Sequence, residues 1–204
     1  MQRGFLKQKQ AFVKIALLAA SLAVVGYGVY SALSTTTAHS FPPAFLWAWR
    51  DAAQISSEVV RFTGDTNRTV GEVNAFDLQG DTSRALGLVR DARVSNRIAY
   101  EKSVELTQAL QRLAESLRDI PSVASQQVAY EALAAELSLV SKFIVYTDSL
   151  NQFLDRVTQA LGTNAPADRQ AVQDALGEVN ALAKEINELN DSFTRAIGTV
   201  GQSL

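Results

Sequence analysis

The chain has 204 residues, 20% of them charged, with one histidine and no cysteine, so disulfides, thiolate metal sites, a cysteine nucleophile and a histidine pair are all excluded. Residues 1–14 carry four basic side chains and no acid, whereas residues 41–204 carry 15 basic against 21 acidic, a net of −6. That larger part has no surplus of positive field to replace phosphate counterions, and no nucleic-acid partner is expected.

Residues 1–10 form a short basic tail. Residues 11–33, AFVKIALLAASLAVVGYGVYSAL, then read as a transmembrane anchor. A helix rises about 1.5 Å per residue, so roughly 20 apolar residues cross a hydrocarbon layer of about 30 Å. Ile15 to Leu33 supplies 19 residues without a charge, and Lys14 at the edge can reach back to the headgroups. Arg3, Lys7, Lys9 and Lys14 stand at or before the start of the span, and the next basic residue is Arg50. The positive-inside rule therefore predicts a cytoplasmic N-terminus and an extracytoplasmic remainder, periplasmic or cell-surface. Membrane lipid is the partner expected for residues 11–33. Tyr27, Tyr30, Phe41, Phe45, Trp47 and Trp49 are candidate membrane-interface aromatics; the plainer reading of the later ones is the end of a helical core. The competing reading of the whole stretch is a cleaved leader, with a cleavage site at Ala38-His39-Ser40.

Residues 34–43, STTTAHSFPP, read as a linker, because Ser and Thr favour local backbone bonds and the Pro pair forbids helix just before it. Residues 44–198 read as an all-α domain. Breaks at Gly80-Asp81, Ile120-Pro121 and Gly162 to Pro166 leave four segments, about 44–78, 82–119, 122–161 and 167–198. Long helices joined by short connections must lie antiparallel, which predicts an elongated up-down-up-down four-helix bundle followed by a tail, 199–204.

The second segment carries the clearest seam: Ala85, Val89, Ala92, Asn96, Ala99, Ser103, Leu106, Leu110, Leu113, Leu117 and Ile120 step by three and four. The third shows Leu133, Leu137, Val140, Ile144, Leu150, Leu154, Val157 and Leu161, widened by Phe143, Tyr146 and Phe153. The fourth shows Val172, Leu176, Val179, Ala183, Ile186 and Leu189, and continues to Val200. In the first, Trp49, Ala52, Ser56 and Val59 keep the period and Val70 and Val73 resume it. Gly64, Gly71 and the capping-box spacing Thr69-x-x-Glu72 predict a kink or break near residues 63–69.

Three residue sets invite a functional reading. Asn96 and Ser103 fall on the buried seam beside alanines and would either line a ligand cavity or fix helix register. Arg90, Arg93 and Arg97 share a helix face and would bind an anionic partner or simply be solvated. Asn67-Arg68-Thr69 and Asn190-Asp191-Ser192 match the glycosylation pattern at a frequency near chance. His39 has no second imidazole for a metal site. No phosphate loop, catalytic triad or metalloprotease helix is present, so no cofactor and no enzymatic activity are expected.

The expectation is a single-pass envelope protein whose bundle acts as a spacer or docking platform for other envelope proteins, or for copies of itself. The alternative is a ligand-sensing ectodomain that signals through a partner. The preference for Arg over Lys in residues 41–204, 12 against 3, fits a bacterial host.

Overall fold

The computed structural model describes residues 42–163 and 165–200, without the side chains of 124, 125, 128 and 193–200. Four helices follow one another: α1 (Pro43–Gln79), α2 (Thr82–Ser116), α3 (Val123–Thr163) and α4 (Pro166–Val200), with a 3₁₀ turn, Leu117–Asp119, closing α2. No strand occurs among the described residues. At 35–41 residues each, the helices are about 50–60 Å long. The segment 11–33 expected to cross a membrane, Tyr27, Tyr30, Phe41, His39 and most of the linker lie outside the described residues. No helix within them is long and apolar enough to cross a membrane.

The breaks have local causes. Gly80 takes the left-handed conformation (φ 78°) and donates its N–H to Asp77 O, while the Asp81 N–H reaches back to Phe76 O. Asp81 then caps α2 by accepting from the Arg84 N–H at 3.1 Å. Pro166 sits at the first position of α4, where a missing N–H does no harm. Ile120, just before Pro121, takes an extended backbone, and α3 begins at Val123.

Cross-helix pairs fix the directions. Asp51 meets Arg112 and Glu58 meets Lys102, so α2 returns along α1. Asn96 meets Thr147 and Asn151, so α3 returns along α2. Lys142 meets Glu185, so α4 returns along α3. The closest pairing is α1 with α2, and all eleven residues of the predicted α2 seam are buried. Small side chains at Ala85, Ala92, Ala99 and Ser103 are what let two backbones approach so nearly. By contrast, α1 and α4 scarcely approach one another at backbone level.

α1 runs unbroken through residues 63–69, so of the kink or break expected there the break is absent. The hydroxyls of Thr63, Thr66 and Thr69 bond back to the carbonyls of Val59, Phe62 and Asp65, and so stay inside the helix. Burial of Val59, Thr63, Thr66, Asn67 and Val70 on one face then outweighs the weak propensity of the stretch. Two seam positions also differ. Leu137 and Leu189 are exposed, and Leu139 and Asn190 are buried instead. A straight helix drifts about 20° per heptad, so a strict seven-residue reading loses the inner face over a helix of this length.

Two apolar cores result. One gathers Val59, Val70, Val73, Ala85, Val89, Ala92 and Ala99 around Phe143, Tyr146, Leu150 and Phe153, with Leu176, Val179, Ala183 and Ile186 from α4. The other gathers Phe45, Ala52, Ile55, Leu106, Leu110, Leu113, Leu117, Leu133 and Val140, with no described α4 residue among its buried members.

Candidate functional site

The α1–α2 turn and the α3–α4 turn lie at the same end of the bundle, and the second is held by its own network. Gln159 Nε2 donates to Asp168 Oδ1 at 2.8 Å, the Thr163 hydroxyl donates to Asp168 Oδ2, and the Ala165 N–H donates to Thr163 Oγ1. Asp168 lies in the first turn of α4, where a carboxylate also suits the helix dipole. These contacts hold the start of α4 against the end of α3, and α4 is left apart from α1.

The gap is a groove of about 500 Å³. Its floor is apolar: Val70 and Val73 from α1, Val89 from α2, Phe153, Leu154 and Val157 from α3, and Val172 and Leu176 from α4. Valines on one wall and Gly177 on the other are too small to meet across it. Ligand sites commonly enclose about 300–1,000 Å³, with an apolar lining and a few placed polar groups. Here the polar groups are Asn74, Asp77, Arg169, Gln173 and Asn180. Asp77 Oδ1 and Arg169 Nη2 stand 4.0 Å apart, both partly exposed, a loose ion pair across the gap between α1 and α4. Asn180 Oδ1 is enclosed and has no hydrogen-bond partner. An unanswered buried acceptor is costly, by about 1–3 kcal/mol, so this oxygen calls for a donor.

The sequence-selected residues lie elsewhere. Asn96 is 1% exposed and donates from Nδ2 to Thr147 O at 2.7 Å and to Asn151 Oδ1 at 2.8 Å. Ser103 donates to Ala99 O at 2.7 Å. Neither lines the groove; Asn96 ties α2 to α3 at one register.

The arginines do not act together. Arg90 is exposed and bonds to Leu86 O of its own helix, and Arg97 is 3.6 Å from Glu101. Arg93 alone crosses to α3, where Nη2 donates to Thr158 Oγ1 at 2.8 Å and Leu154 O at 3.3 Å and meets Asp155 at 2.7 Å.

The described aromatics also divide. Phe45 is buried, Trp49 stacks on it with ring centroids 6.2 Å apart, and Trp47 points outward at 71% exposure. Asn67 is buried and accepts from Tyr146 Oη at 3.2 Å, and Asn190 is buried too, so neither sequon presents an asparagine for modification. Burial raises the pKa of the Tyr146 hydroxyl and keeps it neutral, with the bond to Asn67 opposing the shift. Among the described residues no three His, Cys, Asp or Glu side chains converge as a metal site.

Sequence reasoning missed the groove because its apolar lining, Val70, Val73, Val89, Leu154, Val157, Val172 and Leu176, reads as seam positions packed against one another. The one local signal is Gly177, a glycine inside an otherwise well-formed helical run. Comparison with protein-family models, with curated proteins and with solved structures finds no match to this chain.

Proposed function

We propose that this protein is a non-enzymatic binding module: an elongated up-down-up-down bundle, tethered to a membrane by residues 11–33, that takes up a small apolar molecule in the groove between α1 and α4. The observation that carries the reading is the groove itself, open between the first and last helices, with the unpartnered Asn180 Oδ1 on its wall. The ligand is a largely apolar, uncharged compound. The tether rests on the composition of residues 11–33 and on the basic residues before them.

The probe is N-phenyl-1-naphthylamine, an apolar aromatic amine with a single N–H, presented to the full chain in lipid nanodiscs. Fluorescence enhancement above that of the Gly177→Leu variant in the same nanodiscs reports groove occupancy. A signal equal in both proteins defeats the proposal.

One observation favours the other role, docking of a second protein. Trp47 on α1 and Val123 at the start of α3 are both strongly exposed, and both lie at the opposite end of the bundle. Aromatic side chains often dominate contact surfaces. Crosslinking in native membranes separates the roles: a partner lost on Trp47→Ser supports docking, and recovery of the monomer alone removes it.

A further inference from the structure

Far from the groove, a second and much smaller cavity lies where α1, α2 and α3 meet. Its volume, about 20 Å³, matches one water molecule. The walls are largely apolar, with Ala52 and Ala53 from α1, Leu106, Leu110 and Leu113 from α2, and Ala132 and Leu133 from α3. Three further wall residues are polar: Trp49, Ser56 and Glu136. Each has a buried atom with no partner in the protein, namely Trp49 Nε1, Ser56 Oγ and Glu136 Oε2.

Ser56 is the telling member. The other buried serine and threonine hydroxyls satisfy themselves within their own helix: Thr63, Thr66, Ser103, Ser116 and Thr147 each bond to a carbonyl three or four residues back. Ser56, 4% exposed, does not. Unanswered groups on three residues that line a space fitting one water, two from α1 and one from α3, have a common solution.

We propose that this cavity is a binding site for one water molecule, hydrogen-bonded to its unanswered wall groups, and that the Glu136 carboxyl is held there in its protonated form. A neutral carboxyl both donates and accepts, so it fits beside a single water in an apolar chamber; a carboxylate needs more solvation than the chamber can supply. Burial alone pushes Glu136 up to about 7, and no charged neighbour contributes. The α1 and α2 walls hold no charge. Toward those helices the charged side chains are Asp51 with Arg112, and Glu58 with Lys102 and Glu105, all ion-paired with one another. Glu131 on α3, and Glu188 and Asp191 on α4, are exposed to solvent. Loss of the proton to solvent therefore leaves an uncompensated charge and loosens α3 from the α1–α2 pair at this end.

The test is nuclear magnetic resonance of the full chain. Its two tryptophans give two indole N–H signals, and Trp47→Phe identifies the one from Trp49. The Trp49 N–H is expected to show a cross-peak to a long-lived water and a shift that titrates with a midpoint near pH 7, while exposed Trp47 shows neither. Glu136→Gln is expected to abolish the titration and keep the water cross-peak. Absence of the water cross-peak at Trp49, or a titration that survives Glu136→Gln, overturns the proposal. Should that variant fail to fold, the carboxyl carbons of the native chain decide: one glutamate titrating near pH 7 supports the site, and all of them near pH 4–5 overturn it.

Discussion

At the end where α1 turns into α2 and α3 into α4, valines border a groove of about 500 Å³; at the other end, leucines border a recess of about 20 Å³. Both ends use the same kind of helix and the same seam on α2. They differ in side-chain size. Leu106, Leu110, Leu113 and Leu117 pack beside α1, with no described α4 residue among the buried members of their core. Ala85, Ala92 and Ala99 do not, and there α3 supplies Phe143, Tyr146 and Phe153 while α4 stays clear of α1. A small-residue seam draws two helices together and, by doing so, denies the fourth helix a second neighbour.

The sharpest way to break this contrast is to cut one large side chain at each end. Leu106→Ala, in the closed core, is expected to destabilise by about 4–5 kcal/mol, because its well-packed neighbours collapse poorly. Leu176→Ala, on the groove floor, is expected at about 2–3 kcal/mol, since the space it leaves joins one that already exists. Urea unfolding followed by circular dichroism measures both; equal losses would mean that the groove is not a real opening in the packing.

Protonation separates the ends next. Glu136 has a folded-state value near 7 against an ordinary 4.5, so between these values the folded state holds a proton that the unfolded state lacks. Stability is therefore full at and below about pH 4.5, falls as pH rises to about 7, and levels off above it. The total is about 3 kcal/mol at most, from 1.36 kcal/mol per pH unit over that interval. In Glu136→Gln this fall should vanish, read as the difference between the two proteins in urea midpoints from pH 4.5 to 8. Gly177→Leu, at the groove end, should leave this difference unchanged.

Between the two ends, Asn96 fastens α2 to α3. Asn96→Ala removes both of its bonds and leaves Asn151 Oδ1 without that donor, at an expected loss of about 1–3 kcal/mol. Probe uptake in the groove should be unaffected, which distinguishes a register contact from a ligand layer.

Helix number, order and ends were legible in the sequence because each rests on a local rule: Gly80 and Asp81 as paired caps, Pro166 as a first-turn residue, and the eleven-position seam of α2. The continuity of α1 was not, since it depends on threonine hydroxyls folding back and on burial against α2 and α3. The groove was not legible either. It arises from which helices fail to meet, and Val70, Asp77, Arg169 and Asn180 come together only in space. Nor was Glu136 legible, because one buried carboxyl oxygen leaves no periodic trace.

The smallest effect bears most directly on the groove. A glycine in a helix interior is less favourable than alanine by roughly 1 kcal/mol. A Cβ built at Gly177 meets nothing within 4 Å, and the same holds at exposed Gly71 on α1. Gly177→Ala and Gly71→Ala should therefore each raise stability by about 0.5–1 kcal/mol, measured as a shift in urea midpoint at constant slope. The two part company in function, because only Gly177 borders the groove. Extending that side chain in Gly177→Leu keeps the gain in helix propensity and projects four carbons toward the space between α4 and α1. A protein that becomes more stable while losing the probe has a glycine kept for room; one that keeps the probe has a glycine with no role in the groove.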